Sequence, residues 1–599
     1  MPSKRSTRLN EIPNTCFDYI IGGGGTSGCV LASRLASNSS CSVLLVEAGR
    51  DSGLAPDVLV PGKYVVQLSK DKRGLWELPT VPQRHLNGRV IEFVRGRQLG
   101  GSSAINYMAL ARGPAADYDA WAELVGDHSW RWENIIPLIK DLEDFDPRLP
   151  PCFEGYARPE PGLHGKGGPL KIGFGHEMVP GVETFFQACV AAGIPVCLDN
   201  NSGNPVGVGL AQFNVRDGER SYAANAFLSD ATRSNLVVVT DTECDRVVIQ
   251  DKKVVGVELF DKVHGNSGYV ACRKEVVICA GTLATPKLLM LSGIGPKTLL
   301  EKHGIPVQID LPACGQNMLD HSILTLEYEV DNRIPAHNQI FLDPELLRAA
   351  EAQYAQDRSG PLAMYGSSGS VAFPKIPAMY DSKEFQELGT ATRKFLLEPT
   401  RPSAEIWLGS GPAAYSGPIG RKDSYITHEM LLQNNLSRGS VTVASRDPRA
   451  LPVIDPNFLS HPFDARIAIE TVRMALKVAQ TPAYRDTIRK MVHGPRGMDF
   501  FSDKADSIPE RVLLDFIREN LGQGYHSVGT CRMGRRGDPA AVVDNRFRVV
   551  GVEGLRVADL SVCPILTSNH TQINAYLIGE VCARHLMREE RAVGRAAKL

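Results

Sequence analysis

The sequence, 599 residues long, contains 13 cysteines but no CxxC pair. Scattered thiols in odd number, without that spacing, offer no zinc knuckle and no dithiol redox couple. They read as reduced, mostly buried cysteine in an intracellular chain. A run of about 18 apolar residues is missing as well, so no membrane span is expected. The first 20 residues carry Lys, Arg, Ser and Asn but no apolar core of a secretory signal. Charge of one sign is not in excess: 66 basic against 67 acidic side chains leave a formal net charge of −1. That balance gives no electrostatic reason to expect nucleic acid as a partner. Also absent are internal repeats, low-complexity tracts, and the GxSxG, HExxH and GxxxxGK[ST] patterns. Their absence excludes a solenoid, a hydrolase elbow, a zincin site and a P-loop, and no metal site is expected. The chain is instead rich in 56 glycines and 39 prolines, which point to many turns and close backbone approaches. At about 100–200 residues per domain, the length suggests three or four domain-sized units.

The first glycine cluster has a defined setting. The apolar run Phe17-Asp18-Tyr19-Ile20-Ile21 has strand length and ends in Gly22-Gly23-Gly24-Gly25-Thr26-Ser27-Gly28. A helical stretch from Cys29 to Ser37 follows, with Ala32, Leu35 and Ala36 on one face, then a second strand, Val43-Leu44-Leu45-Val46, ending in Glu47. Gly23, Gly25 and Gly28 satisfy GxGxxG. In such a unit the first glycine permits the tight turn, the second admits a pyrophosphate, and the third lets the helix pack close to the strand. Gly25, Thr26 and Ser27 sit where the helix N-terminus offers free N–H groups to phosphates. Glu47, about 20 residues beyond the glycines, is placed to accept both ribose hydroxyls. It would repel an adenosine 2′-phosphate, which disfavours NADP and leaves FAD and NAD both open.

Further motifs carry a resemblance. Arg95-Gly96-Arg97-Gln98-Leu99-Gly100-Gly101-Ser102-Ser103-Ala104-Ile105-Asn106 resembles the first signature of the glucose–methanol–choline (GMC) flavoprotein oxidoreductases. Gly281-Thr282-Leu283-Ala284-Thr285-Pro286, running on through Leu288-Leu289 to Ser292-Gly293-Ile294-Gly295, resembles their second. Shorter echoes are Gly315 to His321, Gly529-Thr530-Cys531-Arg532-Met533 and Leu555-Arg556-Val557-Ala558-Asp559. The resemblance spans residues 15 to 590 in consistent order. It implies FAD, and a mixed α/β fold in which a Rossmann-like FAD domain is joined to a substrate domain built on an antiparallel sheet. It further implies that Gly100, Gly101, Ser102 and Asn106 lie against the flavin and pyrophosphate. Cys244, in a strand expected from Val237 to Val248, would meet the adenine through its backbone. Asp559 and Gln572 would hold the ribityl–phosphate and flavin side. Two positions depart from the family pattern. Where some members tether FAD through a histidine, this chain has Ile105, so non-covalent FAD is expected. Leu110 replaces the usual aromatic or Ala.

The same resemblance selects two of the 14 histidines. Tyr525-His526-Ser527-Val528-Gly529-Thr530 resembles the segment that carries the family's catalytic base, and Ser568-Asn569-His570-Thr571-Gln572 fills its second catalytic place. Imidazole suits the task, because alcohol oxidation by flavin removes a hydroxyl proton and a carbon-bound hydride. A group of pKa near 6.5 accepts that proton at neutral pH. His526 is expected as base, His570 as the group that positions the hydroxyl, and Tyr525 as a wall of the substrate entrance. His85, His164 and His461 lie in loop-like contexts, and His428-Glu429 reads as an isolated pair on a solvated surface. The expected organisation is an FAD domain over residues 15–320, a substrate domain over 321–495, and a return to the FAD domain over 520–599. Within these, Ile323–Val330 and Ser440–Ala444 read as strands, Leu346–Gln356 and Asp464–Ala479 as helices.

The function expected is oxidation of a primary alcohol, with a leaning toward aromatic ones, to an aldehyde, with O₂ reduced to hydrogen peroxide. The alternatives are a dehydrogenase using a quinone or other acceptor, a non-redox lyase or cyclase that keeps FAD, and a nucleotide-binding module without catalysis. The partners are then a small-molecule alcohol and an electron acceptor, with no nucleic acid and no membrane. The terminal Ala597-Lys598-Leu599 is similar to a peroxisomal address, with the cytoplasm as the alternative compartment.

Overall fold

In the computed structural model, residues 7–596 are described apart from 39, 54, 64–71, 150–152, 175–178, 230–233, 332–333, 335–338, 364–366, 415–416, 418 and 421–422. Ala597-Lys598-Leu599 therefore lies outside the described residues. Two seven-stranded sheets organise the chain. The first has a parallel half in the order Leu236–Val239, Val43–Val46, Cys16–Gly22, Asn266–Ile278 and Leu555–Val557. Cys16–Gly22, Val43–Val46 and Leu555–Val557 are buried along nearly their whole length, as is the last part of Asn266–Ile278, as expected where both faces are covered. Asn266–Ile278 is long because it serves twice. Its first part pairs antiparallel with Lys253–Asp261, which pairs with Thr242–Gln250, while its second part lies parallel to Cys16–Gly22.

The strand expected from Val237 to Val248 is divided. Asp241 adopts φ 54° between Leu236–Val239 and Thr242–Gln250, so the chain turns out of the parallel half into the antiparallel one. Cys244 belongs to the second strand. The first helix spans Thr26–Ala36, beginning three residues before the apolar pattern suggested, because the turn glycines lead directly into it.

The second sheet is antiparallel, in the order Ile488–His493, Ser322–Val330, Ser424–Leu432, Ala404–Ser410, Ser367–Phe373 and Gly207–Leu210. Gly207–Leu210 comes from within residues 15–320, and the short Gly522–Gln523 strand joins Ser322–Ile323 from the C-terminal part. The chain thus crosses between the sheets more often than a boundary at residue 320 describes. The helices expected near residues 346–356 and 464–479 are Pro344–Asp357 and Pro462–Ala479. Ser322–Val330 is a strand, and the strand expected over Ser440–Ala444 ends at Thr442.

Strand alternation corrects the reading of His428-Glu429. His428 points into the core, fully buried among Phe185, Tyr328 and Tyr484. Glu429 points from the other face into a cavity. Neither lies on a solvated surface. Eight of the twelve described cysteines are buried, and none is in a disulfide. Among the described residues no helix is long and apolar enough to cross a membrane, and no cluster of metal-ligating side chains occurs.

Candidate active site

A cavity of about 660 Å³ runs from the C-terminal ends of the parallel strands to one face of the antiparallel sheet, the place where α/β sheets bind ligands. Its floor is the glycine turn. Gly23 has φ 122°, and a Cβ there would lie 2.3 Å from the Cys279 carbonyl oxygen. A Cβ on Gly28 would lie 1.9 Å from the Gly23 carbonyl oxygen, so the helix sits against the strand as the spacing predicts. Gly25 differs: a Cβ there would meet nothing nearer than 3.9 Å and would project into the cavity. The helix it precedes has no side-chain cap. Its free N–H groups therefore face the space that a pyrophosphate would occupy.

Glu47 borders the same space. Its carboxylate accepts from the Gly24 and Gly49 N–H groups at 2.9 and 2.8 Å, while burial pushes its pKa up to about 7. A desolvated carboxylate with lone pairs left over is suited to ribose hydroxyls. Together the open glycine cradle, the uncapped helix and Glu47 fit an FAD.

Thr26, Ser27, Gly101, Ser102, Asn106, Cys244, Asp559, Gln572, Tyr525, His526 and His570 all line this cavity; Gly28 and Gly100 do not. Gly100 instead donates its N–H to the Gly24 carbonyl at 2.8 Å, tying the two glycine loops together. Ser27 Oγ donates to the Ala575 carbonyl at 2.7 Å, a link to the C-terminal helix Gln572–Ala596. Asn106 Nδ2 donates to Gln572 Oε1 at 2.8 Å, so these two residues, distant in sequence, hold each other. Asp559 is turned toward the protein. Its carboxylate accepts from Gly281 N–H at 2.9 Å, Thr285 Oγ1 at 2.6 Å and Ser561 N–H at 2.8 Å. It fixes the turns beside the cavity that it also lines.

Three histidines meet at the far end. His526 and His570 have ring centroids 4.8 Å apart. Behind His526, His321 places its Nδ1 2.9 Å from His526 Nδ1, which leaves His526 Nε2 as its free nitrogen. Their meeting follows from backbone pairing: Leu319 and Val528 exchange N–H···O bonds at 3.0 and 2.8 Å, and Gly522–Gln523 pairs with Ser322–Ile323. Burial holds His526 well below the usual imidazole range, helped by His570, His321 and Arg95. Burial likewise lowers His321 to about 3, with His570 adding to it. Asp320 accepts from the His526 backbone N–H and the Ser527 hydroxyl, both at 2.7 Å, and Ser527 in turn accepts from Arg95 at 2.7 Å.

His570 is held differently. Its Nε2 lies 2.6 Å from Glu405 Oε1 in the strand Ala404–Ser410. Glu405 is fully buried and also accepts from Trp407 Nε1 and from Gln433 Nε2. Tyr525, with φ 63° and 46 % exposure, stands at the rim near Tyr107. The sequence gives no role to His321 or Glu405: His321 closes the Gly315 to His321 motif with nothing to set it apart, and Glu405 lies 165 residues from its partner with no local signal.

The fold and cavity define a flavin-type dinucleotide oxidoreductase: parallel strands with a glycine cradle, and imidazoles set against an antiparallel substrate sheet. The chain belongs to the GMC oxidoreductase family, whose N-terminal domain model matches residues 17–323 and C-terminal domain model residues 435–579. It is therefore an FAD-dependent oxidoreductase that uses a small-molecule substrate and an electron acceptor. It is 31 % identical to the glucose methanol choline oxidoreductase atC of Aspergillus terreus, over 96 % of this chain and 93 % of that one. It is 33 % identical to an alcohol dehydrogenase [acceptor] of Pseudomonas putida, over 96 % of each. Among solved structures, pyridoxine 4-oxidase from Mesorbium loti superposes with a TM-score of 0.78 at 27 % identity, covering 96 % of this chain and 99 % of that one.

Proposed function

We propose that the protein oxidises a primary alcohol, with a leaning toward aromatic ones, to the aldehyde, and passes the electrons to O₂ to give hydrogen peroxide. The observation that carries this reading is the pair His526 and His570, 4.8 Å apart at the cavity wall and held in opposite ways. His526 is kept neutral by burial, so its free Nε2 can take the hydroxyl proton. His570 has Glu405 Oε1 2.6 Å from its Nε2, which fixes the ring and turns Nδ1 toward the alcohol oxygen. FAD, when bound, supplies the acceptor for the hydride that leaves the carbinol carbon. The alcohol thus loses one proton and one hydride, and O₂ takes up two electrons and two protons.

FAD is bound non-covalently in this reading, because the neighbour of Asn106 is Ile105, which has no nucleophile. Acid precipitation should release the yellow colour into the supernatant. A second reading has support in the Pseudomonas putida relative, named an alcohol dehydrogenase [acceptor]. The chemistry at the histidines is then the same, and only the electron acceptor differs.

The test is an anaerobic bleaching screen of the holoenzyme against aryl, aliphatic and sugar alcohols, followed by mixing with air. Rapid return of colour with peroxide is expected. Flavin that stays reduced for minutes in air refutes the oxidase; absence of bleaching by any alcohol refutes both readings. The His526→Ala variant should keep its colour and lose about 10²–10⁴-fold in the bleaching rate.

A further inference from the structure

The end of the cavity beside Glu47 is closed by chain from two distant parts of the sequence. Thr242 donates its N–H to the Glu47 carbonyl at 3.0 Å, and from there Thr242 to Asp245, with Phe260 and Lys262, wall one side. The other side is Pro448, Arg449, Leu451 and Pro452. These belong to the turn between two short strands, Ser440–Thr442 and Val453–Asp455. The turn is tied to itself: Asp447 accepts from the backbone N–H of Arg449 at 2.9 Å and of Ala450 at 3.1 Å. Among the described residues, no backbone–backbone hydrogen bond joins 446–452 to the first sheet.

Side chains make that attachment instead. The Arg449 guanidinium lies 2.5 Å from Glu243 Oε2, meets the Asp245 carboxylate as well, and stacks 4.4 Å from the centre of the Phe260 ring. Lys262 holds the other oxygen of Glu243 at 2.8 Å. Lys287 Nζ adds a tie to the Pro448 carbonyl at 2.7 Å. An arginine fork can serve two carboxylates and a ring at once, which lysine cannot do. Arg449 is 35 % exposed and its carboxylates 16 and 17 %. The group is therefore sheltered enough to count, yet within reach of dissolved salt. A cofactor with its pyrophosphate at the glycine cradle and its ribose at Glu47 has its adenine under this turn.

We propose that Arg449 is a clasp: Glu243, Asp245 and Phe260 hold it so that the 446–452 turn stays shut over the adenine end, and its opening sets the rate at which FAD leaves. The clasp rests on the FAD site and is independent of which alcohol is oxidised. A direct role for Arg449, as a cation facing the FAD phosphates, predicts the opposite behaviour of the carboxylates. Removing a negative charge at Asp245 would then tighten FAD, whereas in a clasp it loosens FAD.

The test follows FAD release from diluted holoenzyme by the rise of flavin fluorescence. Arg449→Gln should speed release about tenfold, and Arg449→Lys should fall between it and wild type. Asp245→Asn should also speed release, and the double variant should be no faster than Arg449→Gln alone, because both changes undo one contact. Potassium chloride should speed release from wild type more than from Arg449→Gln. Unchanged release in Arg449→Gln, slower or unchanged release in Asp245→Asn, or additive effects in the double variant overturns the proposal. If Arg449→Gln does not retain FAD on purification, Asp245→Asn alone decides by the same criterion.

Discussion

His321 shows how a buried, uncharged group sets the work of its neighbour. Its Nδ1 meets His526 Nδ1, and its Nε2 is buried with no partner among the described residues. That contact directs the reactive nitrogen of His526 toward the cavity. It also has a consequence for stability. Both imidazoles are held neutral below their ordinary range, His321 down to about 3. Between pH 6.5 and those values the unfolded chain binds protons that the native state refuses, so these two groups make stability fall as pH falls. Glu47 and Asp320, raised to about 7 and about 6, work the other way. They hold protons in the native state that the unfolded chain releases, and cost stability as pH rises through about 4 to 7. Replacing His321 by Asn removes one proton from the histidine side. Chemical denaturation from pH 6 to 4 should then show a stability slope lower by about 1.4 kcal/mol per pH unit than wild type; an unchanged slope would mean that His321 titrates normally. Glu405 fixes the His570 ring through the contact at its Nε2. Glu405→Ala, which removes that contact, should keep FAD yet reduce kcat/KM at least about tenfold, a loss of roughly 1.4 kcal/mol of transition-state stabilisation, and Glu405→Gln, which can still meet the ring, should recover part of it. Wild-type kcat/KM in Glu405→Ala would mean that the ring is held without Glu405.

Secondary-structure elements carry these residues to their places, and they differ in how far the sequence disclosed them. The strand–turn–helix of residues 16–36 was legible because its information is local: strand length, glycine spacing and a helical apolar face. Its geometry is also exacting. Gly28→Ala would place a Cβ 1.9 Å from the Gly23 carbonyl, so a cost of about 1–3 kcal/mol or more and loss of FAD retention are expected. Thermal melting and the visible spectrum of the purified variant check this; a variant with full colour and unchanged Tm would show that the helix can retreat from the strand. The Val237–Val248 stretch misled because β-branched residues flank a turn whose only mark is Asp241 in a left-handed conformation. His428 and Glu429 misled for a different reason. A central strand with one face in the core and one on a polar cavity shows polar side chains at adjacent positions, a pattern that resembles a surface. His526 and His570 were legible only through family-like segments. Glu405 and His321 reach them by sheet register, which no local window contains.

At the scale of the whole molecule, the two sheets are joined through the same few segments that build the site. The C-terminal helix Gln572–Ala596 starts at the cavity, where Gln572 holds Asn106, and packs along the first helix, where Glu580 meets Arg34 at 2.7 Å. Farther on, Glu589 meets Arg556 at 2.5 Å, and Arg556 also meets Glu275 at 2.7 Å in the central strand. Buried hydrophobic residues of both sheets form one continuous cluster, from Ile20 and Leu44 to Ile406 and Leu432. Because the cavity lies between these parts, FAD bound there contacts the native arrangement of both and has no comparable site on the unfolded chain. A ligand present at about 100 times its Kd then adds about 2.7 kcal/mol to the stability of everything that must unfold to release it. If the parts unfold together, Trp407 on the antiparallel sheet and the flavin itself should report one transition, and removing FAD should lower the Trp407 transition along with the rest. Holoenzyme and apoenzyme melted side by side, followed by tryptophan and flavin fluorescence with Trp407→Phe to assign the signal, decide the matter. A Trp407 transition at the same temperature with and without FAD would show that the substrate sheet stands independently of the cofactor half, and that the shared core does not couple them.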